Sequence, residues 1–144
     1  MQTVAPVAAA RPVAGGLIYT LRVLILIHGV TLLVAASMAG RALTYDSEFV
    51  LSVDQAAAEP HVMVGMVAHL VGLVQLIAAI LYWRPGRGAG WPALASLGLF
   101  LLGIAQHFVL GIGLNVHVPN GVLLFGLILV LLVWSWSPRA AVRR

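Results

Sequence analysis

Four long apolar stretches, separated by short polar segments, constrain the fold of this 144-residue chain more than any other feature. They lie near residues 16–39, 61–82, 91–113 and 119–136. The hydrocarbon core of a bilayer is about 30 Å thick, and a helix needs about 20 apolar residues to cross it. Because a backbone in lipid must satisfy its own hydrogen bonds, runs of this length without strand-like alternation predict helices. We therefore predict an all-α integral membrane four-helix bundle of up-down-up-down order.

The composition agrees with a single membrane domain over residues 1–144. The chain is 62% hydrophobic and 8% charged, so it has too few polar groups to coat a domain in water. It contains no cysteine, which excludes disulfides, iron–sulfur clusters and covalently attached c-type haem. We therefore predict that the lipid bilayer is a partner of this protein.

The charges divide between the two ends of the predicted spans. Of the eight arginines, only Arg41 lies on the side where the four acids fall. Those acids are Asp46, Glu48, Asp54 and Glu59. Arginine-rich short segments stay in the cytoplasm, which predicts cytoplasmic termini and a location in the plasma (inner) membrane. All four tryptophans fall at the inner ends, where an interfacial belt belongs: Trp83, Trp91, Trp134 and Trp136.

Two other interpretations of these charged and small residues are disfavoured. The arginines form no continuous basic stripe, so we predict no nucleic acid partner. Residues 37–40 resemble a signal-peptide cleavage site, but the apolar stretch before them is longer than a typical signal core. We therefore expect span one to remain in the protein.

Two prolines mark predicted helix starts. Pro60, with Glu59 as its N-cap, begins span two, and Pro119 begins span four. Proline is favoured at the first helical position because the backbone N–H is not needed there. The outer loop is accordingly predicted at about 40–60.

Five histidines lie within or beside the spans: His28, His61, His69, His107 and His117. An ionisable side chain in a membrane costs several kcal/mol, so each histidine there requires a partner. At about 1.5 Å rise per residue, His69 lies about 12 Å and His107 about 10 Å from the outer interface. His61 and His117 both lie at that interface, and His28 lies near the middle of span one. The depths predict that histidines from separate helices meet in the outer half of the bundle.

Glycines accompany the histidines at helical spacing. Span two carries Gly65 and Gly72 on the face that holds His61 and His69. Spans three and four show a similar histidine–glycine spacing. Small residues in such a stripe let helices pack closely, or leave room for a flat ligand against the backbone.

This pattern favours a b-type haem held in the core of the bundle. Haem iron binds neutral imidazoles from two facing helices, which points to His69 and His107 as the axial metal ligands. His61 and His117 form an outer pair of candidate ligands. His28 is the substitute ligand if span one packs between spans two and three.

Other polar side chains fit the same hypothesis. Arg41 is the candidate partner of the anionic haem propionates, with Asn115 and Asn120 as further donors. Gln75 and Gln106 are candidate acceptors for the second ring nitrogen of an iron-bound histidine. The sequence leaves open which acceptor serves which ring.

Spans two to four also share a layout with known membrane cytochromes. The layout comprises PHVMVG at 60–65 with His69, Gln106 with His107, and HVPNG at 117–121. It resembles small four-helix b-type cytochromes of the cytochrome b561 and haem A synthase kind. It is also similar to uncharacterised small bacterial membrane families with a His-xxx-Gly opening in spans two and four. The resemblance implies a bis-histidine haem protein that exchanges electrons with quinone or another membrane subunit.

The chain departs from the pattern with two haems. His61 and His69 are separated by only about 12 Å of helix, so two fully ligated haems would crowd each other. We expect one haem b at most, in an electron carrier or a subunit of a respiratory complex rather than in a stand-alone enzyme. No catalytic residue is predicted.

Three alternatives remain open from the sequence. The histidines and glycines are also typical of helix packing, which would make the chain an unliganded accessory or assembly subunit. A copper or zinc site would use His61 and His117, completed by Glu59 or Asp54. Proton conduction lacks an acid within any span to continue a relay. Glycine stripes left facing lipid would favour a homodimer.

Overall fold

A computed structural model describes residues 12–45, 48, 51–109 and 111–142 of the chain. Predictions that concern Arg11, Asp46, Arg143 and Arg144 lie outside the described residues. The four predicted helices are confirmed, and each is long and apolar enough to cross a membrane. They are α1 (Gly15–Ala42), α2 (Gln55–Trp83), α3 (Trp91–Val109) and α4 (Leu114–Ser135). A short 3₁₀ helix, η1 (Pro138–Ala141), follows α4.

The helices form a four-membered ring in which each packs against two neighbours. α1 packs against α2 and α4, and α3 packs against the same two helices. The ring therefore places α2 diagonally opposite α4, and α1 diagonally opposite α3. Contacts such as Arg22 with Ser135 and Gln75 with Ser96 join residues early in one helix to residues late in its neighbour, or the reverse. Neighbouring helices are accordingly antiparallel.

The two ends of the bundle differ in chemistry. At one end, called the hairpin end here, strands β1 (Leu43–Tyr45) and β2 (Leu51–Val53) pair antiparallel between α1 and α2. At the other end, called the tryptophan end, the loop between α2 and α3 meets η1. The hairpin lies within the predicted 40–60 loop, where the sequence predicted no paired strands.

Three predicted helix ends are corrected by the structure. α2 begins at Gln55 and α4 at Leu114, so Pro60 and Pro119 lie inside helices rather than at their first positions. Asp54 caps α2 in place of Glu59, because its carboxylate accepts hydrogen bonds from the backbone N–H groups of Ala56 and Ala57. Each proline stands early in its helix, where only one backbone hydrogen bond is lost. α3 ends at Val109, earlier than the predicted residue 113.

The tightest packing lies towards the tryptophan end. Leu21, Ile25 and Leu131 are fully buried between the helices, together with the ring of Tyr82. The Tyr82 hydroxyl donates to the Ala140 carbonyl oxygen at 2.9 Å, which ties η1 to α2. This apolar half of the bundle contrasts with the other half, where the histidines lie.

Candidate functional site

All four helices contribute histidines, and all of these except His28, which lies at the middle of α1, fall towards the hairpin end. His61 and His69 come from α2, and His28, His107 and His117 come from α1, α3 and α4. His61 pairs with His117 and His69 pairs with His107, whereas the His28 ring contacts Gln75 rather than another histidine.

His61 and His117 meet across the diagonal of the bundle. Their ring centroids are 5.9 Å apart and the ring planes are inclined at 71°. Two imidazoles that bind one metal ion from opposite sides place their centroids about 6 Å apart, since each metal–nitrogen bond is about 2 Å long. The separation of this pair is therefore compatible with a shared iron.

The protein fixes the tautomer of His61. Its Nδ1 lies 2.8 Å from the carbonyl oxygen of Ala35 in α1. A carbonyl oxygen only accepts hydrogen bonds, so Nδ1 carries the proton and a neutral ring keeps its lone pair on Nε2. Histidines that bind metals are commonly held in this way by a backbone carbonyl. His61 thus presents a prepared ligand nitrogen.

Space is open beside His61. A β-carbon added to Gly65, one turn further along α2, would meet no other atom within 4 Å. The equivalent glycine on α4, Gly121, lies nearer a neighbour, because its added β-carbon would be 3.4 Å from Nε2 of Gln106. The predicted role of these glycines as room for a flat ligand therefore fits Gly65 better than Gly121.

His69 and His107 also meet, but they come from helices that are already in contact. Their ring centroids are 5.6 Å apart, with an interplanar angle of 62°. The His69 ring packs on Phe100 with centroids 4.7 Å apart, and its Nδ1 would lie 3.2 Å from a β-carbon at Gly103. Phe100 was not anticipated from the sequence. The two rings are close enough to share an ion, whereas the disc of a haem would have to displace these neighbours.

One nitrogen in each pair is buried without a protein partner. Nδ1 of His117 and Nδ1 of His69 are both inaccessible and make no hydrogen bond. A buried polar atom left unpaired costs about 1–3 kcal/mol, so such atoms are rare in native proteins. Each histidine pair thus contains one buried ring nitrogen whose hydrogen-bonding capacity the protein does not use.

His28 is the exception, because its hydrogen bonding is satisfied within the protein. It is 3% exposed, and its Nδ1 lies 2.9 Å from Oε1 of Gln75. Nε2 of Gln75 in turn donates to the Ser96 hydroxyl at 3.0 Å. The sequence predicted Gln75 as an acceptor but missed Ser96, whose signal is a lone hydroxyl in an apolar span. His28 therefore links α1, α2 and α3.

A second polar network supports His117 from behind. Gln106 donates from Nε2 to the His117 carbonyl oxygen at 3.0 Å, and it also accepts a hydrogen bond from Asn120. Asn120 donates further to the carbonyl oxygen of Leu102 at 3.0 Å. Gln106 and Asn120 therefore join α4 to α3. The prediction that Gln106 accepts from a histidine ring nitrogen is wrong, because Gln106 contacts the His117 backbone instead.

The charged residues predicted for the site lie apart from the rings. Arg41 is exposed in the last turn of α1, at the hairpin end, and makes no hydrogen bond or ion pair with another described residue. The Asp54 carboxylate is engaged in capping α2. Over the described ranges, no group of three or more histidine, aspartate or glutamate side chains is placed to hold a metal ion. The predicted third ligand of the copper or zinc alternative, Glu59 or Asp54, is therefore not placed with His61 and His117.

The two cavities described in the structure lie away from the histidines. One is formed by α1 and α4 around Leu26 and Phe125, and the other by the end of α4 and η1. Neither is lined by any of the five histidines. The candidate site in this half of the bundle is therefore formed by the two histidine pairs and not by either of these cavities.

Comparison of the chain with protein-family models, curated proteins and solved structures finds no match.

Proposed function

We propose that this protein is a membrane b-type haem protein that carries electrons, with His61 and His117 as the axial ligands of one haem. The observation that carries the proposal is the diagonal ring pair, in which His61 is held by Ala35 and His117 has a buried nitrogen without a partner. When bound, the haem iron would accept and release one electron.

The number of ligands favours haem over a bare ion. A structural zinc ion needs four protein ligands, and a catalytic one needs three. The porphyrin itself supplies four nitrogens to haem iron, so two imidazoles from the protein complete its coordination. A pair of histidines without a third ligand fits haem iron better than it fits zinc or copper.

The position of the pair favours His61 and His117 over the ligands predicted from the sequence. α2 and α4 are not neighbours in the ring of helices, so the rings of His61 and His117 approach each other across the centre of the bundle. His69 and His107 come from adjacent helices, and the ring of Phe100 packs against His69. They are the second candidate pair of axial ligands, and the same experiment separates the two.

The surroundings are compatible with the rest of a haem. Arg41, at the hairpin end, makes no hydrogen bond or ion pair with a described residue and is the proposed partner of the propionates. We further propose that the chain lies in the plasma membrane with both termini cytoplasmic, from the distribution of its arginines. Quinone or another membrane subunit is the proposed electron partner.

The visible spectrum of the detergent-purified protein tests this function. We expect a Soret band that shifts on reduction, and about one haem per chain by pyridine haemochrome assay. His61→Ala and His117→Ala should each abolish it, while His69→Ala and His107→Ala should retain most of it. His61→Gly supplemented with imidazole should recover the band, because the free ligand replaces the lost ring.

Each other outcome identifies a different function or site. Loss of haem only in His69→Ala and His107→Ala would move the haem to the second pair. A folded, colourless protein would overturn the haem proposal and leave the unliganded accessory subunit. That second candidate is favoured by the His28–Gln75–Ser96 chain, which shows that polar side chains do join helices in this bundle.

A further inference from the structure

A cavity of about 670 Å³ lies at the tryptophan end, on the far side of the bundle from the histidine pairs. Leu129, Val130 and Val133 of α4 form its apolar wall, with Trp134 beside them. These three wall residues are 43%, 57% and 75% exposed, respectively. The wall is therefore a groove on the surface that the bundle presents to lipid.

The groove ends in two polar groups that lack protein partners. The Ser137 hydroxyl is buried and makes no hydrogen bond. Arg139 lines the same cavity and forms no hydrogen bond or ion pair with any residue that the structure describes. An unpaired buried hydroxyl beside an unpaired guanidinium is a site for an acceptor that carries negative charge.

Among the residues that the structure describes, no acidic side chain lies at the tryptophan end. The described acids, Glu48, Asp54 and Glu59, belong to the hairpin end. A second cation reinforces the positive charge, because Arg22 donates from Nε to the Ser135 carbonyl oxygen at 2.8 Å. Arg22 is itself occupied, since its guanidinium also stacks on Trp136 at 5.0 Å. Of these two cations, Arg139 is the one without a hydrogen bond or ion pair to a described residue.

We propose that this groove binds one anionic phospholipid. Its acyl chain lies along the wall formed by Leu129, Val130 and Val133, and its phosphate lies between the Ser137 hydroxyl and the Arg139 guanidinium. The apolar wall requires a chain, which inorganic phosphate lacks. The unpaired arginine selects a net negative headgroup, such as phosphatidylglycerol, over zwitterionic phosphatidylcholine. This site is independent of any haem at the hairpin end.

Lipid retention in native mass spectrometry tests the proposal. The protein is released from nanodiscs that contain equal amounts of phosphatidylglycerol and phosphatidylcholine with identical acyl chains. We expect the singly lipid-bound protein to be enriched in phosphatidylglycerol by about fivefold, the contribution of one juxtamembrane arginine. Arg139→Gln should abolish the enrichment and Ser137→Ala should reduce it. Arg84→Gln removes an arginine at the same end but outside the groove, and should leave it unchanged.

Further variants separate the chain-binding wall from the headgroup site. Val133→Trp fills the groove, so retention of both lipids should fall. Millimolar inorganic phosphate should not displace the retained lipid if the acyl chain contributes to binding. Equal retention of the two lipids by the wild type would overturn the proposal. So would an equal loss of enrichment in Arg139→Gln and Arg84→Gln, because the preference would then reflect the general positive charge of this end.

Discussion

The imidazole of His61 lies against that of His117, with ring centroids 5.9 Å apart, although the two residues belong to helices that lie diagonally opposite in the bundle. A contact across the diagonal requires both side chains to point at the central axis. His61 is fixed in that direction by its hydrogen bond to Ala35. The pair therefore joins two helices that are not neighbours, and the hydrogen bond to Ala35 connects it to α1 as well.

Filling the space beside His61 should block haem binding without removing a ligand. Gly65→Ile places a branched side chain where an added β-carbon meets nothing, so we expect the fold to persist and haem content to fall by at least half. Gly126→Ile is the matched control, since Gly126 also faces open space but lies far along α4 from the histidines. Haem per chain and thermal unfolding are measured for both variants. Equal haem content in the two would contradict the assigned position.

Enlarging Gly72 should destabilise the bundle through His28. A β-carbon there would lie 3.0 Å from Cε1 of the buried His28 ring, which is held by Gln75 and has little freedom to move. We expect Gly72→Ala to lower the free energy of unfolding by about 1–3 kcal/mol, as overpacking of a core does. Gly126→Ala, at an open position, should change it little. An unaltered unfolding midpoint in Gly72→Ala would show that the ring moves aside freely.

Substitution of Gln75, the central residue of the His28–Gln75–Ser96 network, should destabilise the protein more than substitution of Ser96 at its end. Gln75→Leu leaves both His28 and Ser96 without their partner in a buried site, for an expected loss of about 1–3 kcal/mol. Ser96→Ala leaves the His28–Gln75 hydrogen bond in place and should cost less. Chemical unfolding in mixed micelles measures both. If the two variants were equally stable, the three residues would not act as one network.

Removing the Tyr82 hydroxyl should release η1 from the bundle. Tyr82→Phe loses the hydrogen bond to the Ala140 carbonyl oxygen, which leaves a buried acceptor unpaired. We expect faster tryptic cleavage at Arg139 and a lower unfolding temperature. Tyr19→Phe, at a position that is 65% exposed, serves as the control and should behave like the wild type. Unchanged cleavage in Tyr82→Phe would show that the main-chain bond between Val13 and Ala141 holds η1 by itself.

The number of helices could be predicted because apolar length is a property of each segment alone. The helix starts were predicted less well, since a proline is tolerated at several early positions of a helix. Asp54 precedes Pro60 and supplies the stronger start signal, a carboxylate that accepts two backbone hydrogen bonds. The hairpin arises from backbone pairing over two strands of three residues each, which is too short to leave a pattern.

The sequence predicted the level along the helices at which the histidines meet, but not which helices face each other. Counting residues along each span placed His61 level with His117 and His69 level with His107, and the structure brings each pair into contact. The sequence could not show which helices are diagonal, because each span is apolar on every side and no polar face reveals its neighbours. The preference for His61 and His117 as the proposed haem ligands depends on that arrangement.

The unequal lengths of the helices tie the proposed haem ligands to the thickness of the surrounding membrane. α2 has 29 residues and α3 has 19, so at about 1.5 Å per residue α3 barely matches a hydrocarbon core of about 30 Å while α2 exceeds it. A thicker bilayer would immerse the connection between α3 and α4, and with it His117, while the ends of α1 and α2 still emerge. Membrane thickness would thereby set the hydration of the His61–His117 pair, and a change of lipid length would tune its chemistry without altering a side chain.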